Sequence, residues 1–264
     1  MKLVKKLNLS VVIITLNEET NIERCLKSVQ WADEVLVYDS GSKDGTIRIA
    51  QKLGANAVSG PWLGFGPTKN QAALLAKHDW IFSIDADEEV TEELALELMQ
   101  QQTKEQSNLP LNIQLDPATA YRIPRLSWYL NQWVRHGGWY PDYQTRLFNR
   151  THCNWNESMI HEKVETNNYV NLSNHLNHYV FKNIDQHMQT NNKYSSLIAK
   201  DLFKSGKRFS WFHFLTKPTV KFFECYFLKH GYLDGWVGYF IAKGAAYSVF
   251  LKWSKLKELE MNEK

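Results

Sequence analysis

Cysteine is scarce in this chain of 264 residues. The three cysteines, Cys25, Cys153 and Cys225, lie far apart and show no paired spacing. Small secreted domains depend on dense disulfides, whereas thiols stay reduced in the cytoplasm. The sequence therefore argues against a disulfide framework and predicts a protein of a reducing compartment.

Long apolar runs are absent as well. The chain begins with basic residues, as a secretory signal does, but the apolar run at 11–14 is too short for the core of such a signal. Toward the C-terminus, no apolar run reaches the ~20 residues that a membrane span requires. We therefore expect a cytoplasmic chain that does not cross a membrane.

A dinucleotide-binding glycine motif is also missing. In that class of fold, G-x-G-x-x-G directly follows the first strand. Here the first predicted strand is followed by TLNEE at 15–19, which contains no glycine. This absence argues against a nicotinamide-dependent oxidoreductase. Glycines follow the second predicted strand instead, in DSGSKDGT at 39–46.

The charge is distributed unevenly, although the composition is that of an ordinary globular protein. Hydrophobic residues make up 44% and charged residues 22%, which is enough apolar material for a core. Residues 1–181 hold 17 Lys/Arg and 21 Asp/Glu, whereas residues 182–264 hold 14 and 7. The net charge of +7 in the second segment indicates an anionic partner or surface, or only a solvated basic face.

The first hundred residues alternate between short β-branched runs and segments with helical spacing. The runs at 10–15, 34–38, 55–59 and 80–85 predict strands, and the segments at 21–29, 46–53, 68–77 and 91–102 predict helices. This alternation predicts Rossmann-like βαβ units with a mostly parallel sheet, an α/β fold. Ligands of such sheets bind at the carboxyl ends of the strands.

The rest of the chain changes character twice. A polar loop is predicted at 103–118, followed by a mixed, aromatic segment at 121–179. Helices are predicted at 191–204, 209–227 and 235–260. We therefore expect a catalytic α/β domain at 8–180 and a helical, basic C-terminal region at 181–264.

Carboxylates follow two of the predicted strands. Asp39 ends the second strand, where it can accept hydrogen bonds from a base or ribose, or only close the turn with Ser40 and Asp44. Asp85 and Asp87 end the fourth strand. Residues i and i+2 of an extended segment point to one side, so this pair predicts a Mg²⁺ or Mn²⁺ site. The alternative is a charged start of the next helix.

These segments together resemble a known family. SVVIITLNEETNIERCLKSV, VLVYDSGSKDGT, GFGPTKNQA and WIFSIDADEEV are similar to family 2 of the inverting glycosyltransferases, which have the GT-A fold. GGWYPDYQTRLFNR, WNESMIHEKVE and YFLKHGYLDGWVGY resemble one branch, the bacterial β-1,4-glucosyltransferases of the lipopolysaccharide or lipooligosaccharide core. The similarity extends from about residue 8 to 255.

The resemblance implies roles for individual residues. It implies contacts to the nucleoside from Thr15, Asn17, Glu18 and Asp39. It implies that Lys69 provides a cation near the nucleotide. It also implies that the metal-binding pair beside the donor consists of Asp85 and Asp87. Many relatives also carry a Glu-Asp pair whose Asp is the catalytic base, and no Glu-Asp dipeptide occurs in this chain. Glu162 is our first candidate for that base, followed by Asp142, with Glu157 as a third.

Two histidine patterns resemble metal sites only in part. His161 and Glu162 begin like a zinc-protease helix, but the second histidine is missing. His175 and His178 have a ligand-like spacing with no cysteine nearby, and we expect a structural or surface role for them.

The predicted function is that of an inverting hexosyltransferase, with UDP-glucose as the expected donor and a lipid-linked core sugar, a heptose, as the acceptor. A capsule, O-antigen or protein acceptor, or a non-catalytic nucleotide-binding scaffold, is the alternative. The aromatic, lysine-rich C-terminal helices predict peripheral contact with the inner membrane, or else a soluble subdomain. No nucleic-acid partner is expected.

Overall fold

The computed structural model describes residues 8–102, 115–156 and 163–263. The chain divides into two compact units. The first comprises residues up to 125 together with 142–178, and the second comprises 126–141 together with 179 onward. Residues 126–141 belong to the second unit, although the segments before and after them belong to the first. The sequence pattern did not predict this arrangement.

Four parallel strands and three connecting helices open the first unit. The β-branched runs form the strands because such side chains pack well on a sheet that is covered on both faces. The elements are β1 (Leu9–Thr15), α1 (Ile22–Ser28), β2 (Glu34–Asp39), α2 (Thr46–Lys52), β3 (Asn56–Ser59), α3 (Phe65–Leu75) and β4 (Trp80–Asp85). All seven residues of β1 are buried, as expected for a central parallel strand.

The remainder of the first unit extends the sheet with mainly antiparallel strands and adds a separate two-stranded sheet. This part contains helix α4 (Glu92–Gln102) and several strands that the sequence pattern did not predict individually. They are β5 (Glu88–Val90), β6 (Thr119–Tyr129), β8 (Asp142–Asn149), β9 (Asn154–Trp155), β10 (Val164–Glu165), β11 (Asn168–Asn171) and β12 (Leu176–His178). Strand β7 (Gln132–Val134) pairs with the end of β6 in the second unit.

The strand order places β1 in the middle of the parallel part of the sheet. The order is β3-β2-β1-β4-β8-β6-β12-β5, with β8 antiparallel to both β4 and β6. Apolar side chains on the two faces, such as Ile13 and Val12, belong to separate buried clusters. Full burial of such a side chain contributes about 1.5–3 kcal/mol. The predicted α/β class, a mostly parallel sheet followed by helices, is confirmed.

The second unit is mainly helical. It contains α5 (Ile184–Lys204), α6 (Trp211–Phe223) with a π-helical turn at Glu224–Leu228, a 3-10 turn at Gly231–Asp234, and α7 (Gly235–Asn262). Asn183 caps the N-terminus of α5 by accepting a hydrogen bond from the Gln186 amide. Within the part of the chain that the structure describes, none of the helices has both the length and the apolarity of a membrane span.

Candidate active site

Three of the predicted site residues end neighbouring parallel strands. Thr15, Asp39 and Asp85 are the last residues of β1, β2 and β4. Thr15 is aligned with Asp39, and Ile14 with Asp85, in the registers of the two strand pairs. The three residues therefore lie at one edge of the sheet, the edge at which α/β folds bind their ligands.

The turns after β1 and β2 are tied together by Asn17 and Glu18. Asn17 has a positive φ of 57°, and its amide donates a hydrogen bond to Ser42 Oγ at 2.8 Å. Its side-chain oxygen accepts one from the Lys43 amide at 2.8 Å. The Glu18 amide donates to Thr46 Oγ1 at 2.8 Å. These two residues therefore hold the shape of the edge.

Asp39 closes the glycine turn. One of its carboxylate oxygens accepts hydrogen bonds from the amides of Gly41 at 3.0 Å and Ser42 at 2.9 Å. Gly41 has a φ of 102°, which a residue with a Cβ rarely adopts. Beside this turn, the buried hydroxyl oxygens of Thr15 and Ser40 have no hydrogen-bond partner within the described residues. Buried hydroxyls without partners are costly, so these two atoms suit a polar ligand at this edge.

Lys69 and Arg146 bind Asp85 from two sides. The Lys69 ammonium lies 3.2 Å from Asp85 Oδ1, and Arg146 Nη2 lies 2.6 Å from Asp85 Oδ2. Lys69 is 2% exposed, and its ammonium lies 4.7 Å from the centre of the Trp155 ring. The sequence placed Lys69 at a helix start, but α3 begins at Phe65, so Lys69 lies within the helix.

These cations control the ionisation of Asp85. Burial alone would raise the pKa of this carboxyl, but Arg146, Lys69 and Arg125 outweigh it and hold the pKa well below its ordinary range. Burial likewise disfavours the charged Arg146, but Asp85 and Glu88 raise its pKa above the ordinary value. Asp85 and Arg146 are therefore both charged at neutral pH.

Arg125 extends this ionic network to Asp142. Its guanidinium lies 3.4 Å from the buried carboxylate of Glu88, and its Nε donates to Asp142 Oδ2 at 2.9 Å. The other Asp142 oxygen accepts a hydrogen bond from Gln144 at 2.8 Å. Burial raises the pKa of Asp142, but Arg125 and then Gln144 outweigh burial and lower it. Asp142 is therefore a weaker base than a free carboxylate.

The sequence pattern predicted that Asp85 and Asp87 point to one side of an extended segment, and the structure differs. Strand β4 ends at Asp85, and Asp87 lies in the turn before β5, so the two do not belong to one extended segment. Asp87 Oδ2 faces His178 Nε2 at 3.5 Å. Strand β12, which pairs with β5, places His178 here, and this long-range pairing is invisible in the local sequence.

The donors at this edge fit a divalent cation chemically. Within the described residues, no group of three or more His, Cys, Asp or Glu side chains is arranged as a metal site. Asp87 Oδ2 and His178 Nε2 nevertheless lie 3.5 Å apart, and Asp85 is two positions before Asp87 in the chain. Carboxylate and imidazole donors suit Mn²⁺, and carboxylates suit Mg²⁺.

The first candidate for the base lies outside the described residues. Glu162 and Glu157 both fall within 157–162, so their roles stay predictions. The cations Arg125 and Arg146 were missed in the sequence. Their neighbours RIPRL and YQTRLFN carry no charge pattern that indicates a buried pair. The pairing of β8 with β4 brings Arg146 to Asp85, and the pairing of β6 with β8 brings Arg125 to Asp142.

Comparison with known proteins adds independent information. The model of the family described as "Glycosyl transferase family 2" matches residues 10–166. An uncharacterized glycosyltransferase of Rickettsia bellii is 35% identical over 96% of this chain and 87% of its own length. The lipopolysaccharide core biosynthesis glycosyltransferase LpsC of Rhizobium meliloti is 27% identical over 96% of this chain and 93% of its own.

Solved structures give weaker likenesses. The S. aureus TarS fragment 1–349 in complex with UDP-GlcNAc is 12% identical, with coverage of 98% of this chain and 93% of that chain and a TM-score of 0.45. Glucosyl-3-phosphoglycerate synthase of Mycobacterium tuberculosis, in complex with Mn²⁺, UDP and glucosyl-3-phosphoglycerate, is 25% identical over 46% of this chain and 44% of that chain, with a TM-score of 0.35. The family match and the relatives at 33–35% identity decide the assignment, and the chain belongs to glycosyl transferase family 2.

Proposed function

We propose that this glycosyltransferase moves glucose from UDP-glucose to a sugar of the lipopolysaccharide core, with a heptose as the acceptor. The observation that carries the proposal is the relation to LpsC, a lipopolysaccharide core biosynthesis enzyme, over 96% of this chain. Transfer to capsule or O-antigen precursors, or to a protein, is the second candidate. It differs from the first in the acceptor alone.

The strand-end edge supplies the donor site in this proposal. We place the nucleoside beside Asp39, at the edge that also carries the buried, unpartnered hydroxyls of Thr15 and Ser40. Asn17 and Glu18 hold the adjacent turn in place, so the edge is formed before the donor arrives. A site that is formed in advance loses less conformational entropy when it binds its ligand.

The charges of the ionic network support a divalent cation. Three cations, Lys69, Arg125 and Arg146, form ion pairs with three carboxylates, so their charges balance; the carboxylates are those of Asp85, Glu88 and Asp142. The carboxylate of Asp87 lies outside these pairs and faces His178. A diphosphate would add further negative charge. Its binding next to these carboxylates therefore requires additional positive charge.

We propose that Asp85 and Asp87 hold this Mg²⁺ or Mn²⁺, and that His178, for which the sequence predicted a structural or surface role, is a third ligand. When bound, the ion would neutralise the diphosphate that leaves the sugar. Lys69 and Arg146 fix the ionised Asp85 carboxylate, so the ligand is charged and oriented before the donor binds. Lys69 is also the cation that we place nearest to the diphosphate oxygens.

The transfer itself is proposed as a single displacement. The acceptor hydroxyl attacks the anomeric carbon on the side opposite the departing diphosphate, and the configuration inverts. A carboxylate accepts the hydroxyl proton, and Glu162 keeps the first place for this role. Asp142 is second because, despite its burial, Arg125 and Gln144 lower its pKa, which makes it a weaker base.

The acceptor of this proposal is anchored in a lipid bilayer, so the enzyme would act at the inner-membrane surface as a peripheral protein. The net charge of +7 over residues 182–264 supports this location, since each Lys or Arg near an anionic surface contributes about 1 kcal/mol.

A panel of nucleotide sugars tests the donor and the acceptor together. Purified protein would be incubated with each labelled nucleotide sugar, Mn²⁺ or Mg²⁺, and core oligosaccharides with and without their heptoses. We expect transfer from UDP-glucose to the heptose-containing acceptor alone. Transfer to capsule or O-antigen precursors but not to the core oligosaccharide would support the second candidate and contradict the first.

A further inference from the structure

The exposed face of helix α6 carries apolar side chains, whereas a helix face that is exposed to water usually carries polar ones. None of the 13 residues of α6, all of them described, is buried. Phe212, Leu215 and Phe223 recur at helical spacing and are 70%, 64% and 52% exposed. The same surface continues into the π-helical turn. We define the apolar ridge as Trp211, Phe212, Leu215, Phe223, Phe227 and Leu228.

The ridge is too continuous to be an ordinary feature of a soluble surface. Single exposed apolar side chains are common in folded proteins, but a contiguous apolar patch marks a surface that contacts another apolar phase. The ridge residues are large, and the most exposed of them, Leu228, has 75% of its surface open. Something with an apolar interior is therefore expected to cover this face.

Lysines lie beside the ridge. Lys217 and Lys221 are one helical turn apart on α6, Lys207 precedes α6, and Lys252 lies on α7. Lys221 pairs with Glu224 at 3.1 Å, whereas the other three lysines form no ion pair with the described residues. Burial and then the charges of Lys217, Lys207 and Lys221 lower the pKa of Lys252. Like charges therefore converge here, which favours an anion.

We propose that the apolar ridge inserts into the surface of an anionic phospholipid bilayer, while the neighbouring lysines bind lipid phosphates. Tryptophan and phenylalanine suit the depth at which headgroups meet acyl chains. This inference rests on the proposed function, because a lipid-linked acceptor requires the enzyme to work at a membrane. It adds the element that makes the contact.

A second copy of the chain fits this surface less well. A two-fold contact places the same surface of each copy against the other. The lysines beside the ridge would then lie close to the same lysines of the partner, in a contact with reduced access to water. An anionic bilayer instead covers the apolar side chains and neutralises the lysines together.

Sedimentation with vesicles tests the ridge. Full-length protein would be mixed with vesicles of equal parts phosphatidylglycerol and phosphatidylcholine at low salt. We expect Phe212→Ser/Leu215→Ser to lower the partition coefficient by about 100-fold. The matched control, Leu74→Ser/Leu96→Ser, replaces two exposed leucines of the first unit and should bind as wild type does.

A second pair of variants tests the lysines. Lys217→Gln/Lys252→Gln should weaken binding by about 25-fold and reduce its dependence on salt, because each lysine contributes roughly fivefold. Lys193→Gln/Lys200→Gln on α5 carries the same change in net charge and should bind as wild type does. Equal effects of the two pairs would show that net charge alone matters, and would overturn the assignment of these lysines.

Two results would overturn the role of the ridge. One is wild-type protein that stays in the supernatant with anionic vesicles at low salt. The other is a wild-type dimer in analytical ultracentrifugation that the ridge variant dissociates, which would assign the ridge to a second copy. Transfer to a delipidated, water-soluble core oligosaccharide is measured in parallel. A protein that binds vesicles but lacks this transfer would contradict the proposed function and leave the ridge assignment intact.

Discussion

Arg146 Nη2 lies 2.6 Å from Asp85 Oδ2, although the two residues are 61 positions apart in the chain. Arg146 comes from β8 and Asp85 from the end of β4, which pairs with β8. The same guanidinium nitrogen also contacts Glu88. This arrangement places one buried guanidinium between two acidic residues and, with Lys69, keeps Asp85 ionised at the strand-end edge.

We predict that Arg146→Met destabilises the fold by about 3–5 kcal/mol, because it leaves the fully buried carboxylate of Glu88 with less compensation. Unfolding by urea, followed by circular dichroism, would measure the loss. The double variant Arg146→Met/Glu88→Gln should recover part of it, since the unpaired charge is then removed. A double variant no more stable than the single one would show that packing, not charge, causes the loss.

We predict that Lys69→Met weakens UDP-glucose binding by about 10–100-fold, the effect of losing a charge-assisted contact with a diphosphate. Calorimetric titration with metal present would measure the affinity. Lys77→Met serves as the control, because Lys77 is 72% exposed and lies 4.0 Å from its acidic neighbour Glu34. Unchanged affinity in Lys69→Met would remove Lys69 from the donor site.

We predict that the second unit loses stability in mild acid through His187. Its Nδ1 lies 2.9 Å from the Tyr129 hydroxyl, and burial lowers its pKa from 6.5 to about 4. The fold therefore favours the neutral ring. This contribution is complete above the unfolded pKa of 6.5 and is lost as the pH falls toward 4.

The expected loss between pH 7 and pH 4 is about 3 kcal/mol from this group. Urea unfolding at several pH values would compare wild type with His187→Gln, which does not titrate and can still hydrogen-bond Tyr129. The wild type should show the steeper fall over this range. Parallel pH profiles for the two proteins would exclude His187 as the cause.

We predict that Glu162→Gln lowers kcat by about 10²–10⁴-fold and leaves donor affinity nearly unchanged, because glutamine cannot accept the proton. Single-turnover transfer and donor titration would separate the two quantities. Asp142→Asn is the paired variant. Near wild-type transfer by Glu162→Gln, with an inactive Asp142→Asn that still binds donor, would assign the base to Asp142.

Local pattern predicted the first half of the sheet well and the ionic network poorly. The strand predicted at 80–85 is Trp80–Asp85, and the helix predicted at 235–260 is Gly235–Asn262. Hydrophobic periodicity reports such elements because each depends on neighbours in sequence. Arg146 reaches Asp85 and His178 reaches Asp87 through strand pairing across 61 and 91 positions, which periodicity does not encode. Asp85 and Asp87 also do not share one extended segment, because strand β4 ends at Asp85.

Metal-dependent transfer by Asp87 variants tests the account most directly. Wild type, Asp87→Ala and the exposed control Asp201→Ala would be assayed with labelled UDP-glucose and heptose-containing core acceptor, with Mn²⁺ and with a chelator. We predict transfer by wild type and Asp201→Ala with Mn²⁺, no transfer in chelator, and a loss of about 100-fold or more in Asp87→Ala. Asp87→Ala that transfers glucose as wild type does, or wild type that is equally active in chelator, would contradict the metal-dependent donor site.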